Sequence, residues 1–247
     1  MALRLAVLGD IHGNIAALEA TLAQVKRAKP DRIAVTGDLV LHGPRPAEVV
    51  ERVRALEADG ALVVQGNTDI AVADFDYSAA FPWLDEVPAA HRAASEWAHE
   101  QLADDQLDWL RRLPAERRIA EDGTLSLICH ASPGSQTEGL APDLDAPVTL
   151  RLVTRTDALA IACGHTHLAE VRQVGRKLIC NAGSCGYAFD GDPGASWALL
   201  TIDGDSPSAE LRRTEYDAQT VADELSGRGL PGDVYRAATV RTGRFVR

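Results

Sequence analysis

Five short polar motifs recur along the chain: Asp10-Ile11-His12, Gly37-Asp38, Gly66-Asn67, Cys129-His130 and Gly164-His165-Thr166-His167. Their chemistry-bearing side chains are carboxylate, carboxamide and imidazole, with no thiolate called for. Such hard oxygen and nitrogen donors suit a first-row divalent metal, and a pair of such ions carries out phosphoester chemistry. Asp10 and His12, like His165 and His167, stand two residues apart, and on a strand end that spacing turns both side chains to one side. Taken singly, each motif also reads as an ordinary loop, and Asn14 would then serve only as a helix N-cap. It is the occurrence of all five, each behind an apolar run, that carries the metal reading.

The elements that must position them are those apolar runs: Leu5 to Leu8, Ile33 to Val35, Leu62 to Val64, Leu125 to Ile128 and Leu159 to Ala162. Strand ends on an α/β sheet share one rim, where residues distant in sequence meet. Strands at 4–9, 31–36 and 61–65 alternate with two helices, one bearing Ile15, Leu18, Leu22 and Val25, the other Val49, Val50, Val53 and Leu56. That alternation predicts a parallel sheet with right-handed crossovers. Residues 74–118 hold Trp83, Trp97 and Trp109 and read as a helical insertion serving as lid, dimer surface or packing element. Strands then follow at 124–129, 159–163, 168–174, 177–181, 195–202 and 208–215, which suggests an antiparallel half completing a two-sheet sandwich. A helix near 217–226 and an Arg-rich stretch from Arg228 finish the chain. The expectation is a single domain over 1–247.

At 247 residues, with 46% apolar and 25% charged residues, the composition is that of a globular α/β domain. The first apolar run stops too early for a secretory segment, and no stretch approaches a membrane span. A soluble, cytoplasmic protein is therefore expected. The four cysteines form no CxxC pair and read as reduced, buried thiols. A net charge of −11 argues against a dedicated nucleic-acid role and leaves room for a small phosphorylated substrate drawn in by bound dications. The Arg-rich end would dock on the protein's own acidic body or on a sister subunit in a homo-oligomer.

The five motifs closely resemble the calcineurin-like metallophosphoesterase pattern DxH, GD, GNH(D/E), H and GHxH. The small bacterial and archaeal phosphodiesterase branch is the nearest match, through Gly43-Pro44-Arg45-Pro46, Trp109 to Pro114, Asn181 to Ser184 and Asp190 to Pro193. The resemblance implies a four-layer αββα sandwich, two mixed β-sheets flanked by helices, with the insertion added. It also implies two divalent ions, drawn from Mn, Fe, Zn, Co or Ni with Mn favoured. Asp10, His12, Asp38 and His167 would hold one ion. Asp38, Asn67, His130 and His165 would hold the other and form the catalytic group, with Asp38 bridging. A shared carboxylate brings two dications to about 3.5–4 Å, close enough to share a hydroxide and clamp phosphoryl oxygens.

One family residue is absent. Gly66-Asn67-Thr68-Asp69 places Thr68 where the pattern has a His thought to protonate the leaving group. A threonine hydroxyl cannot be an effective general acid, and Asp69 is expected to stay ionised beside two cations and to orient its loop. His42, Arg45 and Thr68 are candidate substrate contacts, the Gly183-Ser184 turn is a weaker one, and His91 and His99 are placed on a solvated helix face. The implied activity is metal-dependent hydrolysis, preferentially of phosphodiesters, by attack of a metal-bridging hydroxide. The alternatives are a phosphomonoesterase of protein phosphatase or dinucleoside-polyphosphate hydrolase type, or a non-enzymatic interaction module on the same fold.

Overall fold

A computed structural model of the chain describes residues 2–121 and 123–247. The chain runs β1 (Leu3–Leu8), α1 (Ile15–Ala28), β2 (Arg32–Val35), α2 (Pro46–Ala58), β3 (Leu62–Val63), α3 (Asn67–Ala73), α4 (Tyr77–Ala80), α5 (Ala89–Glu100) and α6 (Asp104–Arg112). It continues through β4 (Glu116–Glu121), β5 (Thr124–Cys129), α7 (Ala146–Val153), β6 (Ala160–Cys163), β7 (Ala169–Val174) and β8 (Lys177–Ala182). It ends in β9 (Ala195–Ile202), β10 (Ser208–Thr214), α8 (Ala218–Arg228) and α9 (Asp233–Thr242).

The strands form two five-stranded sheets, ordered β10-β9-β1-β2-β3 and β4-β5-β6-β8-β7. Both are mixed. In the first, β1, β2 and β3 are parallel, while β9 joins β1 antiparallel. In the second, β5, β6 and β8 are parallel, with β4 and β7 as antiparallel edges. The second half is therefore not the antiparallel sheet expected from its run of strands. The helix α7 supplies the crossover between β5 and β6, and the pattern of apolar runs did not reveal it.

The layers follow from two-residue alternation in which both faces are apolar. Leu5 and Val7 of β1 meet Ile128, Ala160, Ala162, Cys180 and Leu200 between the sheets. Ala6 and Leu8 turn the other way, onto Leu18, Leu22, Val49 and Val53 of α1 and α2. The outer face of the second sheet, Leu127, Ile161 and Ile179, packs on Leu152 and Val153 of α7. Helix, sheet, sheet and helix thus give the four-layer sandwich, with the insertion helices continuing the first helical layer. Asn14 caps α1, its Oδ1 accepting from the Ala17 amide at 3.1 Å, as its position predicts.

The Arg-rich end runs from the last residue of α8 through the helix α9 and is held by burial of charge in pairs. Arg228 and Arg236 both bond the Asp233 carboxylate. Arg228 also donates to the carbonyls of His42 and Gly43 at 3.1 and 3.0 Å, which ties the C-terminal helices to the loop after β2.

Candidate metal centre

All five motifs lie just past strand ends at one rim, but strand alternation does not aim their side chains. β1 stops at Leu8 and β6 at Cys163, before the first donor of each pair. Asp10, His12, Asp38, His42, His165 and His167 all have φ between 49° and 82°. The only other described non-glycine residues with positive φ are Lys29 and Phe75. Left-handed backbone in branched or bulky residues costs of order 1–3 kcal/mol each and gathers where function requires it. The shared direction of Asp10 and His12 comes from these turns, a correction to the two-apart strand argument.

Neighbouring loops fix the turns. The amides of Asp10, His12 and Gly13 donate to the carbonyls of Gly37, Asp38 and Leu39 at 2.9, 2.9 and 2.7 Å, so the loop after β1 stays paired with the loop after β2. Asp10 accepts from the His165 amide at 2.9 Å through Oδ2. A Cβ at Gly66 or at Gly164 would collide with the carboxylates of Asp38 and Asp10 respectively, so glycine precedes Asn67 and His165 because backbone passes against a ligand.

The donors form two sets. In the first, His12 Nε2 lies 3.2 Å from His167 Nε2 and 3.6 Å from Asp38 Oδ2, and His167 Nε2 lies 3.3 Å from Asp10 Oδ1. One atom from each of these four buried residues falls within 4.8 Å of the others. In the second, His130 Nε2 lies 2.8 Å from Asn67 Oδ1, 3.1 Å from His165 Nδ1 and 3.5 Å from Asp38 Oδ1, and Asn67 Oδ1 is 3.0 Å from His165 Nδ1. The two oxygens of Asp38 therefore face different sets.

Hydrogen bonds on the far side of each ring assign the tautomers. His12 Nδ1 donates to the Leu41 carbonyl at 3.0 Å, His130 Nδ1 to Thr36 at 2.8 Å, and His167 Nδ1 to Tyr187. The Asn67 amide donates to the Ala80 carbonyl at 2.9 Å, which turns its oxygen inward. In these tautomers the Nε2 lone pairs of His12, His130 and His167 and the oxygens of Asp10, Asp38 and Asn67 converge on two points. Such a convergence is repulsive unless cations sit there, and a neutral imidazole fixed by a carbonyl is a common metal ligand. The donor chemistry fits divalent metal.

Burial keeps His12 down to about 4 even though Asp38 pulls it up, and burial with His130 holds His165 down to about 4. For Asp10, burial is outweighed by His167, His130 and His12, and the carboxyl falls to about 2. His167 goes up, because the Asp10 carboxylate more than offsets burial. At neutral pH the site offers ionised Asp10 with lone pairs on His12 and His165.

The remaining candidates divide. The Thr68 amide donates to Asp38 Oδ1 at 2.9 Å, and its hydroxyl is buried without a partner among the described residues. His42 stacks on Tyr187 with ring centroids 5.1 Å apart and lies 5.2 Å from the ring of His12, so it borders the first donor set. Arg45 points elsewhere: its guanidinium is taken by both oxygens of Glu224 on α8, at 3.0 and 2.8 Å. The Gly183 amide is used by Asn181, while Ser184 bonds the Asp10 carbonyl, so this turn braces the loop after β1 and leaves no Gly183 amide for phosphate. His91 and His99 are half-buried, against expectation: His91 faces His42 and Phe81, and His99 Nδ1 lies 2.7 Å from the Val72 carbonyl. The four cysteines are free and buried, and burial pushes Cys180 and Cys185 up to about 12.

Sequence reasoning missed several residues at the rim. Phe189 stacks on His167 at 4.2 Å, and Trp83 of the insertion stands edge-on to His165 at 6.0 Å. Asp69 accepts the amides of Gly66, Asp38 and Leu39 at 2.9, 3.0 and 2.7 Å, and burial with the Asp38 charge pushes it up to about 7. Asp69, unlike Phe189 and Trp83, was singled out in the sequence, and from the N3 position of α3 it orients its loop as expected. Surface hollows of about 420 and 590 Å³ lie along α1 and α2, and neither contains a donor of the centre.

Known proteins resemble this chain in sequence and fold. An uncharacterized protein of Methanocaldococcus jannaschii is 28% identical over 92% of this chain and 93% of its own length. A symmetrical bis(5'-nucleosyl)-tetraphosphatase of Pectobacterium carotovorum is 30% identical over 62% of this chain, and the match spans 49% of that relative's length. The crystal structure of a metallophosphoesterase from Sphaerobacter thermophilus superposes with a TM-score of 0.76 at 28% identity, covering 98% of this chain and 100% of that one. The sequence model of the calcineurin-like phosphoesterase superfamily domain matches residues 3–205, through every donor of the centre, and the chain belongs to that superfamily.

Proposed function

We propose that the protein is a dinuclear metal-dependent phosphoesterase that acts in the cytoplasm on small phosphorylated substrates and prefers diesters to monoesters. The observation that supports this most is the division of the Asp38 carboxylate between two donor sets. Two divalent ions, Mn favoured, would supply Lewis-acid polarisation of the phosphoryl group and an activated water. Asp10, His12, Asp38 and His167 would hold one ion, and Asp38, Asn67, His130 and His165 the other. Backbone carbonyls fix the rings of His12, His130 and His167, so these ligands are oriented before any ion arrives. The Nδ1 atoms of His42 and His91, beside the first donor set, are buried without a partner among the described residues.

No side chain in this arrangement is placed to protonate a leaving group near Thr68. Both Asp69 oxygens are occupied by backbone amides, and a threonine hydroxyl is too weak an acid. Substrates whose leaving groups depart unprotonated are therefore favoured. This supports a second reading, hydrolysis of dinucleoside polyphosphates, the activity named for the Pectobacterium relative: a departing nucleotide phosphate is a weak base and requires no acid.

The test is metal-reconstituted protein with bis-p-nitrophenyl phosphate, p-nitrophenyl phosphate and a dinucleoside tetraphosphate side by side. Diester turnover that exceeds monoester turnover, is abolished by chelation and returns with Mn²⁺, at two ions per chain, is expected. One ion or none at full activity would remove the dinuclear assignment, and dominance of the tetraphosphate would select the second reading.

A further inference from the structure

The insertion reaches the candidate centre through a short, well-fixed path. The Ala80 carbonyl at the end of α4 accepts from Asn67 at 2.9 Å. Phe81, next along, is only 5% exposed. Phe81 to Leu84 form a turn closed by the Leu84 amide on the Phe81 carbonyl at 3.0 Å, with Pro82 at the position where a fixed φ favours the turn. Trp83 occupies the following position. Its ring meets Phe81 edge-on at 5.9 Å and His165 edge-on at 6.0 Å, yet the residue is 55% exposed. These two T-shaped contacts hold the indole in place while more than half of the residue stays open to water. Elsewhere arginines lie over aromatic rings, Arg212 over Trp197, Arg228 over Trp97 and Arg247 over Phe245, but none lies over Trp83 among the described residues.

We propose that Trp83 is a stacking platform for a nucleobase carried by the phosphoester, so that the insertion selects nucleotide esters. The inference rests on the phosphoesterase reading, since it is a phosphate held beside His165 that would bring the base within reach of the indole. Base–aromatic stacking tolerates any base, because every base offers a π-face. A quaternary ammonium group can also bind an indole face, but two dications held by the neighbouring donors would repel it. An alkyl group would gain burial without stacking.

The experiment uses three Mn²⁺-supported substrates with one leaving group: the p-nitrophenyl esters of thymidine 5'-phosphate, methyl phosphate and phosphocholine. Trp83→Ala should raise KM for the thymidine ester about tenfold, leave kcat and the other two KM values within about twofold, and Trp83→Phe should recover most of the loss. AMP, and not inorganic phosphate, should quench tryptophan fluorescence of the metal-loaded protein, and Trp83→Ala should abolish that quenching. A uniform KM rise across the three esters, a loss confined to phosphocholine, or quenching unchanged in Trp83→Ala would each overturn the platform. If no ester were hydrolysed but AMP quenching persisted and vanished with Trp83→Ala, the phosphoesterase reading would fail and the platform would stand.

Discussion

Replacing Asp69 isolates the scaffold of the centre from its ligands, because this carboxylate is directed at backbone amides. It accepts from Gly66, Asp38 and Leu39, three amides in the buried region between the ends of β2 and β3. Asp69→Ala leaves all three unsatisfied, and a buried donor without a partner costs about 1–3 kcal/mol. Partial entry of water into the vacated space lowers the total, so about 3–5 kcal/mol is expected. For a chain of this size that corresponds to a fall in Tm of roughly 10 °C. Asp69→Asn keeps the shape but can satisfy only the amides on one side. Its NH2 group must face either Leu39 or the Gly66 and Asp38 pair, and the cost should be about half that of the alanine variant. Because the Asp38 amide is one of the three, the shared carboxylate also loses its support, and metal content should fall from both sites together. Calorimetry and metal analysis at pH 8, above the value of about 7 to which burial and Asp38 push Asp69, would measure both effects. If Asp69→Ala melted within about 1 °C of wild type and kept its metal, the three amides would have to be satisfied another way and the reasoning would be wrong.

Three further outcomes are expected. His167→Ala and His130→Ala should each lose mainly one ion, from opposite sets, with both proteins still folded; metal analysis with circular dichroism decides, and unfolding without metal loss would make these rings structural. Acid should destabilise the metal-free protein: His12 and His165 sit at about 4 in the folded state against 6.5 for the free side chain, so the unfolded chain binds more protons between those values. Stability is then fully present above pH 6.5 and lost as pH falls towards 4, by about 3 kcal/mol for each ring, and a denaturation midpoint flat across that window would contradict the burial argument. Thr68→His should raise turnover of diesters with poor leaving groups by up to about 10²-fold while barely changing activated aryl diesters; equal gains on both would mean that the imidazole assists in some way other than protonation.

The strands were legible because both faces of most of them are buried, so their apolar runs are continuous and end abruptly at polar motifs. The elements that escaped lack that signal. β4, Glu116–Glu121, is a charged edge strand with half its residues exposed. α7 is short and carries Pro147 in its first turn, so its apolar stripe is brief. The stretch from Arg228 looked like a basic tail because its arginines stand out in the sequence, while their pairing with buried Asp233 and with the carbonyls of His42, Gly43 and Ala90 does not. The candidate donors could be picked out for the opposite reason: donor chemistry is a property of the side chain alone, whatever the backbone does.

Aiming those donors is a separate problem, and the sequence carries little trace of its solution. A sandwich of two mixed sheets delivers loops to one rim, but a rim is many ångströms long and strand alternation would scatter side chains to both faces. Asp10, His12, Asp38, His165 and His167 converge because each adopts a left-handed backbone that only glycine signals openly. Neighbouring loops enforce that conformation: the Gly37, Asp38 and Leu39 carbonyls grip one loop, and the Asp10 carboxylate grips the amide of His165. Each ligand therefore helps to hold the backbone of another. Asp10 is both a donor of the first set and the acceptor that places His165 of the second, so the two sets are coupled through protein as well as through Asp38. Loosening one loop should disturb both ions even where no shared ligand is touched, and strain spread over six residues can persist because no single loop has to sustain it alone.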